Sequence, residues 1–488
     1  MNKKTAIGAA VALVVVAYGG VTWYMGQRAQ ASYEEALVEL RKAVGPQAIV
    51  SEEYRKGFFT SQAKLVLQWT PPAASAKADA NVPPASPLRL VVDSTVHHGP
   101  LAGRRLAAAV VDSRFALEGL DPKVTKELEK VTAPTLTTVH HLSGKHDLRF
   151  LVPAGEIGNE EMTMRWQEMV SEMTLNGDRT RVNGTFQWPE VSMVGLPGTP
   201  GEKDDEADEE EKEKEKAKPA SRITFGFKGM DGKFEYQVID GMWLFAPGTG
   251  TMRFAQIDAS STPAAGGAVT SIMALKDVAG TSTIENNGPT GNIATSLNGK
   301  GSVGPIEFES IGFEEKFQRI DIHTIKALQQ ALIEEYRTDG VAKTAAKVED
   351  RWLTLLQESA PRLVAALPAY SMKILATYKG QQGQLEYGAE VQRAPSAEEV
   401  AQAGWQASLI KGSTLNASMR LPKAWLPPIA QAVGQKDMKS EDMDAMIGMA
   451  QAAGYVRQES DNLVSVVKME SGQVKLNGKG IDLPKGAF

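Results

Sequence analysis

A period-two alternation of apolar and polar side chains recurs along most of this chain, and it restricts the fold more than any other feature. In QAKLVLQW, Ala63, Leu65, Leu67 and Trp69 fall on one face, with Gln62, Lys64 and Gln68 on the other. The same pattern is read in LRLVVDSTV, and in HHLSGKHDLRFLV, where Leu142, Leu148, Phe150 and Val152 share a face. It returns in RVNGTFQW (Val182, Phe186, Trp188), RITFGFK (Ile223, Phe225, Phe227), LEYGAEVQ (Leu385, Tyr387, Ala389, Val391) and TLNASMRL (Leu415, Ala417, Met419, Leu421). Strands apolar on one side only belong to antiparallel sheets with a single covered face. Turn signals are read at Asn176-Gly177, Asp231-Gly232, Asn287-Gly288, Asn298-Gly299 and Asn477-Gly478, while Asn183-Gly184 falls inside a strand pattern.

The N-terminus reads differently. Lys3 and Lys4 precede an uncharged run from Thr5 to Met25, close to the roughly 20 residues that cross a bilayer. Lysines on the cytoplasmic side, with Trp23 and Tyr24 at the far interface, predict a single-pass inner-membrane anchor and a periplasmic body. A cleaved signal peptide ending at Ala29-Gln30-Ala31 is the alternative, against which the length of the apolar run counts. Residues 29–45 then predict a helix leaving the membrane, with Tyr33, Leu37, Leu40 and Val44 on one stripe and Gly45-Pro46 as the stop.

Helical spacing also marks Ile325, Leu328, Leu332 and Tyr336, a second stripe at Val348, Trp352, Leu355 and Leu356 interrupted by Pro361, and a Met-rich helix over 441–453. The methionines are expected to fill core gaps. The Ala/Pro-rich stretch 71–87 predicts a loop. Glu202–Lys218 holds ten acids and five lysines and predicts a solvated, disordered insertion. The expected organisation is a tip and anchor over 1–28, a β-rich region over 29–200, a charged loop over 201–220 and a β-rich region with helices over 221–488. The expected class is α+β, β-rich: one transmembrane helix followed by a large antiparallel, groove-forming sheet with packed helices.

Few residues carry chemistry. There is no cysteine, which excludes disulfides and thiolate sites. Outside the charged run the net charge is near zero, which argues against nucleic acid. Gly299–Gly304 matches G-x-G-x-x-G, but Pro305 and a strand pattern follow where a helix should start, so a glycine-rich turn is expected. Five of the six histidines fall at His97-His98 and at His140, His141 and His146. On one strand His140 and His146 would face one way and His141 the other, short of a zinc ligand set. No nucleophile elbow, HExxH or P-loop occurs. No catalytic, cofactor or metal residue is nominated, no cofactor is expected, and a non-enzymatic protein is the reading.

Four motifs resemble the YdgA-like family of inner-membrane-anchored bacterial envelope proteins: Gly19–Gly26 with Trp23-Tyr24, the run Tyr54 to Gln62 with Gly57 and Ser61, His98-Gly99-Pro100, and the C-terminal order LNASMRLP, helix, SGQVKLNGK. The resemblance implies an anchored envelope protein and brings no catalytic residues. Tyr54, Gly57, Ser61, His98, Gly99 and Pro100 are expected to be structural, with His98 tying the Gly-Pro turn. A groove-forming sheet is similar to the AsmA-like envelope proteins linked to phospholipid traffic, a likeness of fold alone. The function expected is therefore a membrane-tethered protein that binds or passes a lipid or other apolar ligand, in contact with the inner-membrane bilayer. The alternative is a homo-oligomeric scaffold.

Overall fold

The computed structural model describes residues 3–69, 87–120, 122–159, 162–195, 221–263, 267–331, 333–334, 354, 358–432 and 439–481. The Ala/Pro stretch, the acidic run and the stripe around Trp352 lie outside them. The first strands are β1 (Ile49–Arg55), β2 (Thr60–Trp69), β3 (Leu88–His98), β4 (Ala109–Glu118), β5 (Thr135–His140), β6 (His146–Val152), β7 (Gly155–Gly158), β8 (Met162–Trp166) and β9 (Met169–Leu175). Six long strands follow: β10 (Arg181–Gly195), β11 (Ser221–Gln237), β12 (Gly248–Pro263), β13 (Thr270–Asn286), β14 (Thr290–Val303) and β15 (Ile306–Asp321). The last are β16 (Ala369–Tyr378), β17 (Gln381–Val391), β18 (Ser413–Pro422), β19 (Arg457–Glu459), β20 (Asn462–Glu470), β21 (Gln473–Leu476) and β22 (Lys479–Ile481).

All are antiparallel members of one sheet, and they pair almost in chain order. β6–β7 and β8–β9 each act as one long interrupted strand, with β8 and β9 pairing successive halves of β10. β10 and β11 pair across the acidic run from Arg181↔Gln237 to Gly195↔Ile223, so the sheet continues through it. At the far end β18 pairs β20, which also pairs β19 and β21, and β22 closes the order.

The helices are α1 (Lys3–Val44), α2 (Pro122–Leu128), α3 (322–331), α4 (358–365), α5 (Ala397–Ala403), α6 (Trp405–Lys411), α7 (Leu426–Ala432) and α8 (Ser440–Ala452). α5 begins with a capping box: the Glu399 N–H donates to Ser396 Oγ at 3.2 Å and the Ser396 N–H to Glu399 Oε2 at 2.9 Å. α1 ends where Gly45 takes φ 81° ahead of Pro46, as the sequence predicts.

The expected separate membrane helix is corrected. Residues 5–25 form the first part of one helix continuous to Val44, and no helix among the described residues is long and apolar enough to cross a membrane. The reason is visible in its packing. Thr22 is fully buried against the sheet, Gly26 lies on the His98 ring and Gly19 faces Phe58. That face of α1 meets the protein's own strands instead of lipid. Trp23 and Tyr24 are exposed, and the side chains of Lys3 and Lys4 lie outside the described residues.

Five smaller expectations also change. Asp231-Gly232 and Asn298-Gly299 are not turns; they lie inside β11 and β14. Gly299–Val303 is likewise strand, with the turn only at Gly304-Pro305. The histidine stretch is a hairpin rather than one strand, which places Leu142 in its exposed turn. Pro361 falls within helical residues 358–365. The methionines of α8 are not core: Met446 and Met449 are exposed.

A crease crosses the sheet. Pro153 faces Glu168, Glu168 faces Pro189, and Pro189 faces Gly229. Gly229 faces Ala255 and Ala255 faces Asp277, after which β13/β14 and β14/β15 each carry a bulge, at Asp277–Val278 and Glu309–Ser310. Gly229 and Asp277 take φ 61° and 53°, the left-handed region that breaks strand alternation. The inside set therefore changes parity. Trp188 and Phe254 on one side of the crease meet Phe227 on the other, edge to face, at 5.7 and 5.6 Å.

Candidate functional site

Because partners across an antiparallel ladder point the same way, the registers define one face across the whole meander. It carries Leu65 and Leu67 on β2, Val92 and Val96 on β3, and Val111 and Phe115 on β4. It continues through Leu148 and Phe150, Met173 and Leu175, then Val182, Phe186 and Trp188. Beyond these come Phe234 and Tyr236, Met252 and Phe254, Ile284, Ile293 and Leu297, then Ile311, Phe313 and Phe317. It ends through Met372 and Ile374, Leu385 and Tyr387, Leu415 and Met419, and Val467 and Met469. The opposite face carries Lys64, Asp93, Asp112, Arg149, Glu172, Lys233 and Lys373 at matching registers.

Elements cover the apolar face only at its margins. α1 lies over β1–β3. Met242, Phe245 and Leu328 of α3 are buried together beside the ends of β12–β15, tied by Gln329, whose Oε1 accepts from the N–H groups of Trp243 and Leu244 at 2.9 and 3.1 Å. Trp425, ahead of α7, packs on Gly383 and meets Phe308 edge to face at 5.5 Å. Between these margins the described residues leave the face half-exposed: Leu297, Phe317 and Leu385 keep 36, 39 and 41 % of their surface.

The centre of this face is shaped. Phe234 lies over Gly184 and Phe186 over Gly232 on neighbouring strands, so that an added Cβ would meet the rings at 2.6 and 2.3 Å. Rings lying on cross-strand glycines leave a cavity of about 300 Å³ bordered by Phe186, Phe234, Tyr236, Met252, Gly280 and Leu297. A larger concavity of about 960 Å³ lies on the polar face, over Thr137, Arg149, Glu172, Thr185 and Lys233. Much of its charge is already paired, Lys145 with Asp147 at 3.1 Å and Arg149 with Glu172 at 3.5 Å. It therefore resembles a hydrated outer surface, and the apolar cavity is the stronger ligand site.

The motif residues assemble elsewhere, under α1. Ser61 Oγ lies 3.3 Å from His98 Nε2 and accepts from the Gly57 N–H at 3.4 Å. Gly99, at φ 109°, brings the chain against the Thr22 side chain, and Tyr54 packs on Tyr33 with ring centroids 5.1 Å apart. Pro100 follows in the turn. Burial lowers the His98 pKa, with backbone groups of Thr22 and Gly57 acting in the opposite sense. These residues seat a helix on a sheet.

The other histidines split between faces. His140 and His146 are cross-strand partners, Nδ1 to Nδ1 at 2.8 Å. Burial, then the neighbouring His146 and Arg179, lowers the His140 pKa to about 4. One ring must donate and the other accept, so the accepting ring is neutral. His141 reaches Asp147 at 2.7 Å. Among the described residues no three His, Asp or Glu side chains converge as a metal site.

No solved structure matches this chain. Over 107 residues it is 33 % identical to the "Uncharacterized protein YihF" of Escherichia coli (strain K12), a match covering 21 % of each protein, so the chain spans about a fifth of that relative's length. The family model described as "Bacterial protein of unknown function (DUF945)" matches residues 1–484. Matched along almost its full length, this single-sheet protein belongs to the DUF945 family.

Proposed function

We propose that the protein is a non-enzymatic carrier that holds an apolar ligand, of the class of a lipid acyl chain, against the apolar face of its sheet. One observation carries this reading: a face apolar across nearly every strand is left half-exposed at its centre by the described residues. Contiguous apolar patches larger than a few hundred Å² are rare on monomeric soluble proteins and mark binding surfaces. A cavity of about 300 Å³ is at the small end of ligand pockets, suited to part of a chain while the rest lies along the trough. The motif pattern supports a YdgA-like placement within the family.

The test is mass spectrometry of small molecules retained by the full chain after purification. A stoichiometric lipid absent from a control protein prepared alongside supports the carrier. A protein that is empty and also fails to bind an uncharged fluorescent alkyl probe refutes it. A second reading, a homo-oligomeric scaffold, draws on the apolar side chains exposed beyond the crease, Met162, Met193, Ile223 and Phe225. Light scattering of the lipid-free chain tests it, and a monomer at all concentrations eliminates it.

A further inference from the structure

The apolar face contains one carboxylate among its described strand residues between β2 and β21. Glu315 of β15 pairs Thr295 and Met372, between Phe313 and Phe317 on its own strand. Its polar neighbours Glu314 and Lys316 point to the other face, where Lys316 and Lys373 are found. Glu315 is half-buried and forms no ion pair among the described residues; its partner there is the Tyr370 hydroxyl, which donates to Oε1 at 2.9 Å. A carboxylate has about four lone-pair sites, and this one uses a single donor. Three rings run in file across this part of the face, starting at Glu315's own strand: Phe317 and Tyr370 at 4.7 Å between centroids, and Tyr370 and Tyr387 at 5.8 Å.

A carboxylate on an uncharged face costs free energy unless a cation meets it, and aromatic faces attract ammonium groups. Thr295, which pairs Glu315, also borders the apolar cavity over Gly280. A chain lying in that cavity would place its head group one strand away, at Glu315. We propose that Glu315, with Phe317, Tyr370 and Tyr387, forms a subsite for the ammonium head of an amphiphile whose tail occupies the cavity. This rests on the carrier reading above and adds the head-group class to it.

The test uses the full chain loaded with an uncharged fluorescent alkyl probe. The probe is displaced by three competitors of equal chain length, below their micelle-forming concentrations: an alkyltrimethylammonium, an alkyl alcohol and an alkyl sulfate. The wild-type protein should prefer the ammonium over the alcohol about tenfold, the scale of a desolvated cation–π contact with a nearby charge, and bind the sulfate least. Glu315→Gln should lose the preference and keep its affinity for the alcohol. Tyr370→Phe should keep the preference, because it removes a competing donor from the carboxylate. Equal binding of ammonium and alcohol by the wild type overturns the subsite and leaves the carrier standing. Equal weakening of both by Glu315→Gln makes Glu315 a structural partner of Tyr370 and overturns the subsite as well. Failure of the probe to bind at all overturns the carrier itself.

Discussion

Gly280→Leu should close the apolar cavity from its floor. An added Cβ at this position meets Leu297 Cδ1 at 3.3 Å and the Ser296 carbonyl at 3.4 Å. The first contact is the end of a flexible side chain that keeps 36 % of its surface exposed, so it can yield. The new side chain then projects into the space bordered by Phe186, Phe234 and Met252. Its four carbons take the room of about four ligand methylenes. At about 0.8 kcal/mol each, the ligand loses about 3 kcal/mol, or roughly two-hundred-fold in Kd. The assay is titration of the full chain with an uncharged fluorescent alkyl probe, with circular dichroism to verify an intact sheet. A folded variant with the wild-type Kd would refute the assignment of the cavity as the tail site. A loss confined to long chains would place the tail along the trough and outside the cavity.

Three further outcomes are expected. Gly232→Ala should destabilise by roughly 1–3 kcal/mol, the cost of overpacking, because its Cβ would stand 2.3 Å from the Phe186 ring; Gly388→Ala, whose nearest neighbour is 3.7 Å away, should be near neutral, and equal urea midpoints for the two would contradict the ring-on-glycine packing. His140 stays neutral in the fold down to about pH 4, whereas the unfolded chain takes up its proton below about pH 6.5. Its contribution is therefore intact above pH 6.5 and lost as pH falls towards 4, at most about 3 kcal/mol and nearer 1–2 after allowing for partial exposure; His140→Leu should flatten the fall in thermal midpoint between pH 7 and 5, and parallel curves would dismiss the effect. Gly26→Val, with its Cβ 2.7 Å from the His98 ring, should lift α1 from the sheet and speed tryptic cleavage at Arg41 and Lys42; unchanged protection would show that α1 is held by other contacts.

The alternation was legible wherever a strand kept its parity. Val182, Phe186 and Trp188 share a face as the sequence predicts, and so do Leu385 and Tyr387, because period-two spacing needs only local information. The crease was not legible. Pro189, Gly229 and Asp277 are far apart in sequence and line up only once the registers are known. Asp231-Gly232 reads as a turn by composition, yet Gly232 serves instead as the small partner under Phe186. His140 and His146 read as same-facing residues of one strand, and a hairpin brings them face to face. Thr22 sits in, and Gly26 directly after, an apolar run whose length suggested lipid, while Gly57, Ser61 and His98 supply the surface that part of it covers. Glu315 lies within FEEKFQ, where its spacing from Phe313 and Phe317 puts it on their face; only the pairing with Met372 and Thr295 shows it to be a lone carboxylate on the apolar side of the sheet.

Strands joined in chain order, about 4.8 Å apart, give this sheet a contour of roughly 85 Å from β1 to β22. A single acyl chain fills about half a bilayer core, or roughly 15 Å, so the apolar face has room for several tails in file. Each hairpin inserted into such a meander would extend it by about 10 Å without disturbing pairings elsewhere, which makes the reach of the protein a quantity that can be set by counting hairpins.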